Sequence, residues 1–293
     1  MIFSTHSRWS WHRCANVWPA ERQGGGNGMS ALDAHGRVTL VTGGSRGIGR
    51  AIAAALAQEG SDLAIVDLDL AQAEETAKEL AAAHGVRARG YAGDVRKAEE
   101  MKALCAGVVK DLGALDHVVN NAGVQFVTPL ADFPEDKWDF VVDIDLNGIF
   151  HVTKAAWPYL VQRKRGRIVN ISSVHGLVAS PFKPAYIAAK HGVVGLTKAA
   201  ALEGAESGIT VNAICPGAVM TDIIRNQLPE LREAYGKDLS DEQVLEKAFL
   251  YAMPTKKMID PSEIGHLAAF LCSDGAKSIT GAAIPIDGGW SAH

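Results

Sequence analysis

From Arg37 onward the chain alternates short apolar runs, rich in β-branched residues, with longer alanine-rich stretches of helical character. "RVTLV" is followed by "GRAIAAALAQEG", "DLAIV" by "AQAEETAKELAAAHG", and "HVVN" by a long helical stretch from "DKWDFVV" to "WPYLVQ". "GRIVNIS", "ITVNAIC" and "AAIPID" supply further strands, with helices near 184–204 and 261–272. Runs this apolar bury both faces, the pattern of parallel strands covered by helices on either side. Right-handed crossovers then give an α/β fold built on a doubly wound parallel sheet. Gly60 and Gly85 stand where a helix would close on a left-handed residue. One segment breaks the rhythm: residues 218–258 carry amphipathic helical patterning between a strand end and the helix opening at Pro261, and an excursion of that length usually covers a site. It is read as a substrate lid, with an oligomer contact as the alternative.

Residues 1–28 differ from the rest. They hold three tryptophans, carry Arg8, Arg13 and Arg22 against Glu21 alone, and end in a glycine run. They are expected to be a disordered extension, without the apolar core of a secretory signal, in front of a single domain spanning 29–293. With 293 residues and 47% hydrophobic content, the chain can bury a sizeable core. A net charge of −4 without a Lys/Arg run points away from nucleic acid and from a basic membrane surface, and no apolar run approaches a membrane span. Cys14, Cys105, Cys215 and Cys272 lack paired spacing, so free thiols in a cytoplasmic protein are the simplest account and no metal site is expected.

"VTGGSRGIG" places Gly43, Gly47 and Gly49 directly after the first strand and at the mouth of a helix. Glycines there let the backbone approach a pyrophosphate, while the helix start offers unpaired N–H groups and the positive end of its dipole. Asp67 closes the second strand, eighteen residues after Gly49. A carboxylate at that point accepts the ribose hydroxyls of NAD and repels the 2′-phosphate of NADP. Arg46 argues mildly the other way, because an arginine grips a phosphate well. Asp67 weighs more, and NAD is the expected cofactor.

"AYIAAKHGV" sets Tyr186 and Lys190 four positions apart, on one face of a helix. On this fragment alone both read better as solvated or snorkelling side chains. The motifs "TGGSRGIG", "GDV" (93–95), "NNAG" (120–123), "ISS" (171–173), "YIAAK" (186–190) and "CPG" (215–217), in this order, resemble the short-chain dehydrogenase/reductase family from about residue 36 to the C-terminus. The resemblance implies a Rossmann-type fold, often assembled as a homotetramer, with Ser173, Tyr186 and Lys190 catalytic. It implies a dinucleotide lined by Gly43, Ser45, Arg46, Gly47, Ile48, Gly49, Asp67, Asp94, Val95, Asn121, Ala122, Gly123, Tyr186, Lys190, Pro216, Gly217, Val219 and Thr221. Asp94 would meet the adenine, and Asn121 would support the central sheet and the adenosine ribose. Alcohol oxidation by hydride loss needs a base for the hydroxyl proton, and a free phenol with a pKa near 10 is too weakly acidic. Lys190 and the positive nicotinamide ring are expected to draw the Tyr186 value down, with Ser173 bonding the substrate oxygen.

One position departs from the family pattern. Asp145 in "DIDLNGIF" stands where the family carries a catalytic Asn, and Asn147 comes two residues too late, pointing about 200° away on a helix. If the role belongs to the main-chain carbonyl, Asp145 substitutes for the Asn. If its carboxylate acts on Lys190, it raises the tyrosine's pKa.

Within the family, "NNAGVQFVTPLADFPEDKW", "SVHGLVASPFKPAYIAAKHGVVGLTK" and "IDGGW" resemble the 3-hydroxybutyrate dehydrogenases. That likeness implies a small hydroxy acid held by Gln125, His175 and Lys183 with Ser173, and by Gln227 and Trp290. Ala218 replaces a tryptophan of that group, which leaves a longer acid, a polyol, a sugar acid or a 3-oxoacyl carrier open as substrates. An NAD-binding sensor with lapsed chemistry is the reading outside enzymology.

Overall fold

A computed structural model of the chain describes residue 32 and residues 34–292, with the backbone alone at 222, 223, 226, 227, 230, 234 and 235. The extension 1–28, and with it Cys14, lies outside the described residues. Seven parallel strands form one sheet in the order β3-β2-β1-β4-β5-β6-β7: β1 Val38–Thr42, β2 Asp62–Asp67, β3 Ala88–Ala92, β4 His117–Asn120, β5 Arg167–Ile171, β6 Thr210–Pro216 and β7 Ala283–Ile286. The helices are α1 Gly47–Gln58, α2 Leu70–His84, α3 Ala98–Leu112, α4 Glu135–Val142, α5 Gly148–Arg163, α6 Pro184–Gly204, α7 Asp222–Tyr235, α8 Asp241–Ala248 and α9 Pro261–Cys272. Apolar residues of α1, α2 and α9 (Ile52, Ala77, Ile264) pack on one face, and those of α3, α5 and α6 (Val108, Val152, Ala201) on the other. This is the doubly wound, Rossmann-like arrangement.

The central strands β1, β4, β5 and β6 are buried along their whole length, as continuous apolar runs require. The edge strand β3, "ARGYA", alternates exposed and covered positions and carries Gly90, whose missing side chain lets the α2 backbone at Ala73 and Glu74 approach. Gly85 closes α2 in the left-handed region (φ 71°), and Gly60 follows α1 at φ 87°. The segment after β6 forms α7 and α8, with Val244 and Leu245 of α8 buried.

β1 pairs with β2 on one side and β4 on the other, so the crossovers leave it in opposite directions and open a crevice at the strands' C-terminal ends. Thr42 Oγ1 accepts from the N–H groups of Asn121 (3.0 Å) and Ala122 (3.1 Å), and Asn121 Nδ2 donates to the carbonyls of Thr42 and Gly43, both at 3.0 Å. The opposite end of the sheet is tied by Asp116, fully buried, which accepts from Val38 N (3.0 Å) and Arg163 Nε (2.7 Å). Asp116→Ala leaves the Val38 N–H of β1 without its acceptor, while the part-exposed Arg163 turns to water, and should lower stability by about 1 to 3 kcal/mol in urea unfolding. Glu79→Ala, which breaks the exposed pair with Arg50 at 2.6 Å, should change it by less than about 1 kcal/mol.

Candidate active site

α6 opens on Pro184, with fixed φ and no amide hydrogen to leave unpaired, so Tyr186 and Lys190 fall one turn apart on the face turned to the crevice. Lys190 is buried, its Nζ 5.4 Å from the Tyr186 ring centroid. It donates to the carbonyl of Ile171 at the end of β5 (3.0 Å) and lies 3.1 Å from Asp145 Oδ2. A side chain on Gly123 would meet Asp145 Oδ2 at 3.1 Å and Lys190 Nζ at 3.5 Å, so the glycine closing "NNAG" brings bare backbone against the pair. Ser172 Oγ donates to the Lys190 carbonyl (3.0 Å), and a side chain on Gly176 would strike both, which seats the "SSVHG" turn on α6. Ser173, buried in that turn, accepts from His175 N (3.1 Å) and faces the Tyr186 hydroxyl.

The long helix expected from 136 to 162 is broken. Residues Asp143–Asn147 wind as a π-helix between α4 and α5, and such turns redirect side chains. Asp145 points inward, fully buried, its Oδ1 accepting from Val124 N at 2.7 Å, whereas Asn147 stays at the surface on Asp143. Burial raises the Asp145 pKa against the pull of Lys190. Lys190, despite its own burial, is held above the ordinary lysine value by Asp145 and Tyr186. Burial and the Asp145 charge outweigh the pull of Lys190 and Ser173 and raise the Tyr186 pKa, the direction expected if the Asp145 carboxylate acts on Lys190, so the lysine alone does not draw it down.

The glycine loop fits a dinucleotide. Gly43 and Gly47 take positive φ (59° and 53°), and a side chain on Gly49 would collide with the Gly43 carbonyl at 2.1 Å. α1 has no side-chain cap at Arg46 and no acidic residue in its first turn, so its N–H groups and dipole stay open to an anion. Ser45 Oγ donates to Asp67 Oδ2, while Asp67 Oδ1 accepts from Leu68 N (2.9 Å). This turns the Asp67 carboxylate onto the loop; Arg46 is exposed and Ile48 leans on the core. Asp94 is held by Arg96 through Nε (2.9 Å) and Nη2 (2.6 Å), which lowers its pKa. Val95 packs where Gly148 leaves room. Pro216 ends β6 beside Ile286, Gly217 follows against Asp287, Val219 bridges to Ile259, and Thr221 lies 3.7 Å from where a Gly47 side chain would begin.

On the other flank, aromatic rings run outward from the phenol. His175 meets Tyr186 (6.2 Å) and Trp290 (5.4 Å) edge to face, and Trp290 meets Tyr251 (6.4 Å). Ser180 Oγ lies 3.3 Å from His175 Nε2. Burial and Lys183 hold the His175 pKa down at about 4. Lys183, half-buried with its pKa lowered by burial, makes no ion pair among the described residues. Gln125 is exposed in the loop after β4, which is tied beside Lys183 by Thr128 N donating to the Phe182 carbonyl (2.9 Å). Gln227 lies in α7, and nothing is described of its side chain. Ala218 is buried in the core with Met253 and Ile259. Sequence reasoning missed Ser180, Tyr251 and Phe182. Phe182 takes φ 71°, rare for a non-glycine residue, and the only sequence signal near it was the following Lys-Pro pair.

The family model for the short chain dehydrogenases matches residues 37–232. The chain belongs to the short-chain dehydrogenase family. A D-beta-hydroxybutyrate dehydrogenase of Rhizobium meliloti (strain 1021) is 42% identical over 258 residues, 88% of this chain and 99% of the relative. The 3-oxoacyl-acyl-carrier-protein reductase FabG of Staphylococcus aureus (strain Mu50 / ATCC 700699) is 40% identical over 250 residues, 85% of this chain and 96% of the relative. The crystal structure of gox2181 superimposes with a TM-score of 0.82 at 30% identity, covering 90% of this chain and 98% of that one. The protein is thus an oxidoreductase of a family whose members bind a nicotinamide cofactor, and the glycine cradle with the open start of α1 fits that cofactor. No helix among the described residues is long and apolar enough to cross a membrane.

The buried imidazole has a consequence for stability. Between the ordinary value of 6.5 and about 4, the unfolded chain protonates His175 and the folded one does not. Stability should therefore fall as the pH drops through that window, by roughly 3 kcal/mol from this group. His175→Asn should flatten the decline in urea midpoints measured between those pH values.

Proposed function

We propose that this short-chain dehydrogenase interconverts a short 3-hydroxy acid and its 3-oxo acid with NAD, 3-hydroxybutyrate and acetoacetate being the reference pair. One observation carries the reading: Lys183, an ammonium without a carboxylate partner among the described residues, stands beside a neutral His175 whose backbone holds Ser173 and whose ring meets Tyr186. A cation and a nitrogen donor next to the reacting hydroxyl groups suit a carboxylate two carbons from the carbinol. Gln125, Gln227 and Trp290 complete the acid's environment in this reading, and α7 with α8 serve as its lid.

Gly43, Ser45, Gly47, Gly49, Asp67, Asp94 and Asn121 would hold the dinucleotide, which supplies the hydride acceptor. The remaining chemistry belongs to the side chains. Ser173 bonds the substrate oxygen, Tyr186 exchanges the proton with it, and Lys190 fixes the phenol's electrostatic surroundings. Asp67, turned by Ser45 onto the glycine loop, supports NAD over NADP, whereas Arg46 is exposed. A homotetramer in the cytoplasm is the setting we infer. A second reading, reduction of 3-oxoacyl groups on a carrier, draws on exposed Val127, Leu130 and Phe182 around the loop that Thr128 ties beside Lys183.

Reduced-cofactor formation measured over short hydroxy acids, neutral alcohols and polyols should single out the 3-hydroxy acids. Lys183→Ala should raise KM for 3-hydroxybutyrate by about tenfold or more, as loss of a charged contact does, and leave a neutral alcohol nearly unaffected. Equal effects on both would remove the carboxylate clamp. Steady-state kinetics should also favour NAD strongly over NADP, and Asp67→Ala should shrink that preference.

A further inference from the structure

The family Asn position holds a carboxylate here, and the carboxylate faces the lysine. Asp145 is fully buried; one oxygen is committed to Val124 N (2.7 Å) and the other lies 3.1 Å from Lys190 Nζ. The ionisable groups gathered around the phenol are few. α6 contributes Lys190, the π-turn contributes Asp145, the turn after β5 contributes His175 beside Ser173, and β6 contributes Cys215. His175 is neutral near pH 7 because burial holds it at about 4, and burial pushes the Cys215 thiol up to about 11. Lys183, just ahead of α6, acts on His175 and is not among the groups acting on the phenol, so one ammonium and one carboxylate remain against Tyr186, and they are partners.

We propose that Asp145 is a charge-balancing, positioning residue: its carboxylate takes up the ammonium of Lys190, so the Tyr186 hydroxyl keeps its proton at neutral pH and the site meets its substrate first as an acid. The proposal rests on the dehydrogenase reading for its consequence, and its premise is carried by the placement of Asp145 against Lys190 and Val124. In the reductive direction the Tyr186 O–H bond breaks and its proton goes to the carbonyl oxygen. The carbonyl carbon takes a hydride from the reduced dinucleotide, which is oxidised, and the phenolate recovers a proton from water. Oxidation of the alcohol needs the phenolate at the outset and is accordingly favoured by alkaline pH. Without the Asp145 charge, Lys190 acts on the phenol unopposed.

The test is a near-ultraviolet phenolate titration of the full-length, cofactor-free protein, with the Tyr186→Phe variant of each form subtracted to remove the other tyrosines. Wild type should show no Tyr186 phenolate at pH 7. Asp145→Asn keeps an acceptor for Val124 N, and its Tyr186 should ionise at least about one pH unit lower than in wild type. Such a shift raises the phenolate fraction, and with it alcohol oxidation near neutrality, about tenfold. Coincident titrations in the two proteins, or a phenolate already present in wild type at pH 7, would overturn the proposal. Asp145→Ser, which also leaves an oxygen for Val124 N, gives the same comparison if Asp145→Asn does not fold, with the same outcomes expected. Neither titration involves substrate or cofactor, so failure of the 3-hydroxy acid reading would leave the result standing.

Discussion

The site is organised around the cost of burying one positive charge. An ammonium as enclosed as that of Lys190 is tolerated only where anions and carbonyls converge on it, and here they come from separate parts of the chain. The end of β5 gives the Ile171 carbonyl and the π-turn gives Asp145, while Gly123 lets the loop after β4 close over both. The Ser172 hydroxyl and the bare Gly176 seat the turn that carries Ser173 on the lysine's own carbonyl. β4, β5, α5 and α6 therefore cannot shift independently without leaving a charge unpaired, and the positions of Tyr186 and Ser173 follow from that constraint.

Much of this was legible in the sequence because the features concerned are local. The continuous apolar runs of β1, β2, β4, β5 and β6, the glycine loop and the i,i+4 spacing of Tyr186 and Lys190 each report their structure through a short stretch. β3 was not, since "ARGYA" holds one strand-forming side chain and gains its place by pairing with β2 at the sheet edge. The π-turn was invisible as well: "DIDLN" has no helix breaker, and its extra residue per turn is set by the inward Asp145 meeting Val124 and Lys190 from other elements. The direction of the Tyr186 pKa was legible only as one of two alternatives. Spacing offered the lysine and the family pattern offered Asp145, whereas the burial that adds to the Asp145 effect comes from elements distant in the chain.

Cofactor and substrate flanks are built differently. The cofactor side is made of absences: missing side chains at Gly43, Gly47 and Gly49 and a missing cap at α1 leave backbone donors for phosphate. Asp69 caps α2 and capping boxes close the starts of α8 and α9, while α3 and α4, uncapped, carry acidic residues in their first turns; α1 has neither a cap nor an acid there. The substrate side is made of presences, a string of rings from Tyr186 through His175 and Trp290 to Tyr251 with one cation beside it. Lys256 Nζ bonds the carbonyls of Leu250 (2.9 Å) and Tyr251 (3.2 Å), and Thr255 N bonds that of Gly288 (3.1 Å). The outer end of that string is thereby fixed to the C-terminal turn, not left to α7 and α8.

These two constructions explain why the charge balance at Lys190 matters to more than one residue. In the proposed reading phosphate and carboxylate both bring negative charge into the crevice, and each would be met by a donor set of its own, the α1 start on one side and Lys183 on the other. If Lys190 were unpaired, it would compete for those anions as a second cation beside Lys183, and a carboxylate or phosphate would be drawn toward the phenol. Paired with Asp145, it is electrically closed to both. On this reading the arrangement separates binding from proton transfer: the outer donors place the ligands, while the inner pair, net neutral and buried, sets the protonation state of Tyr186.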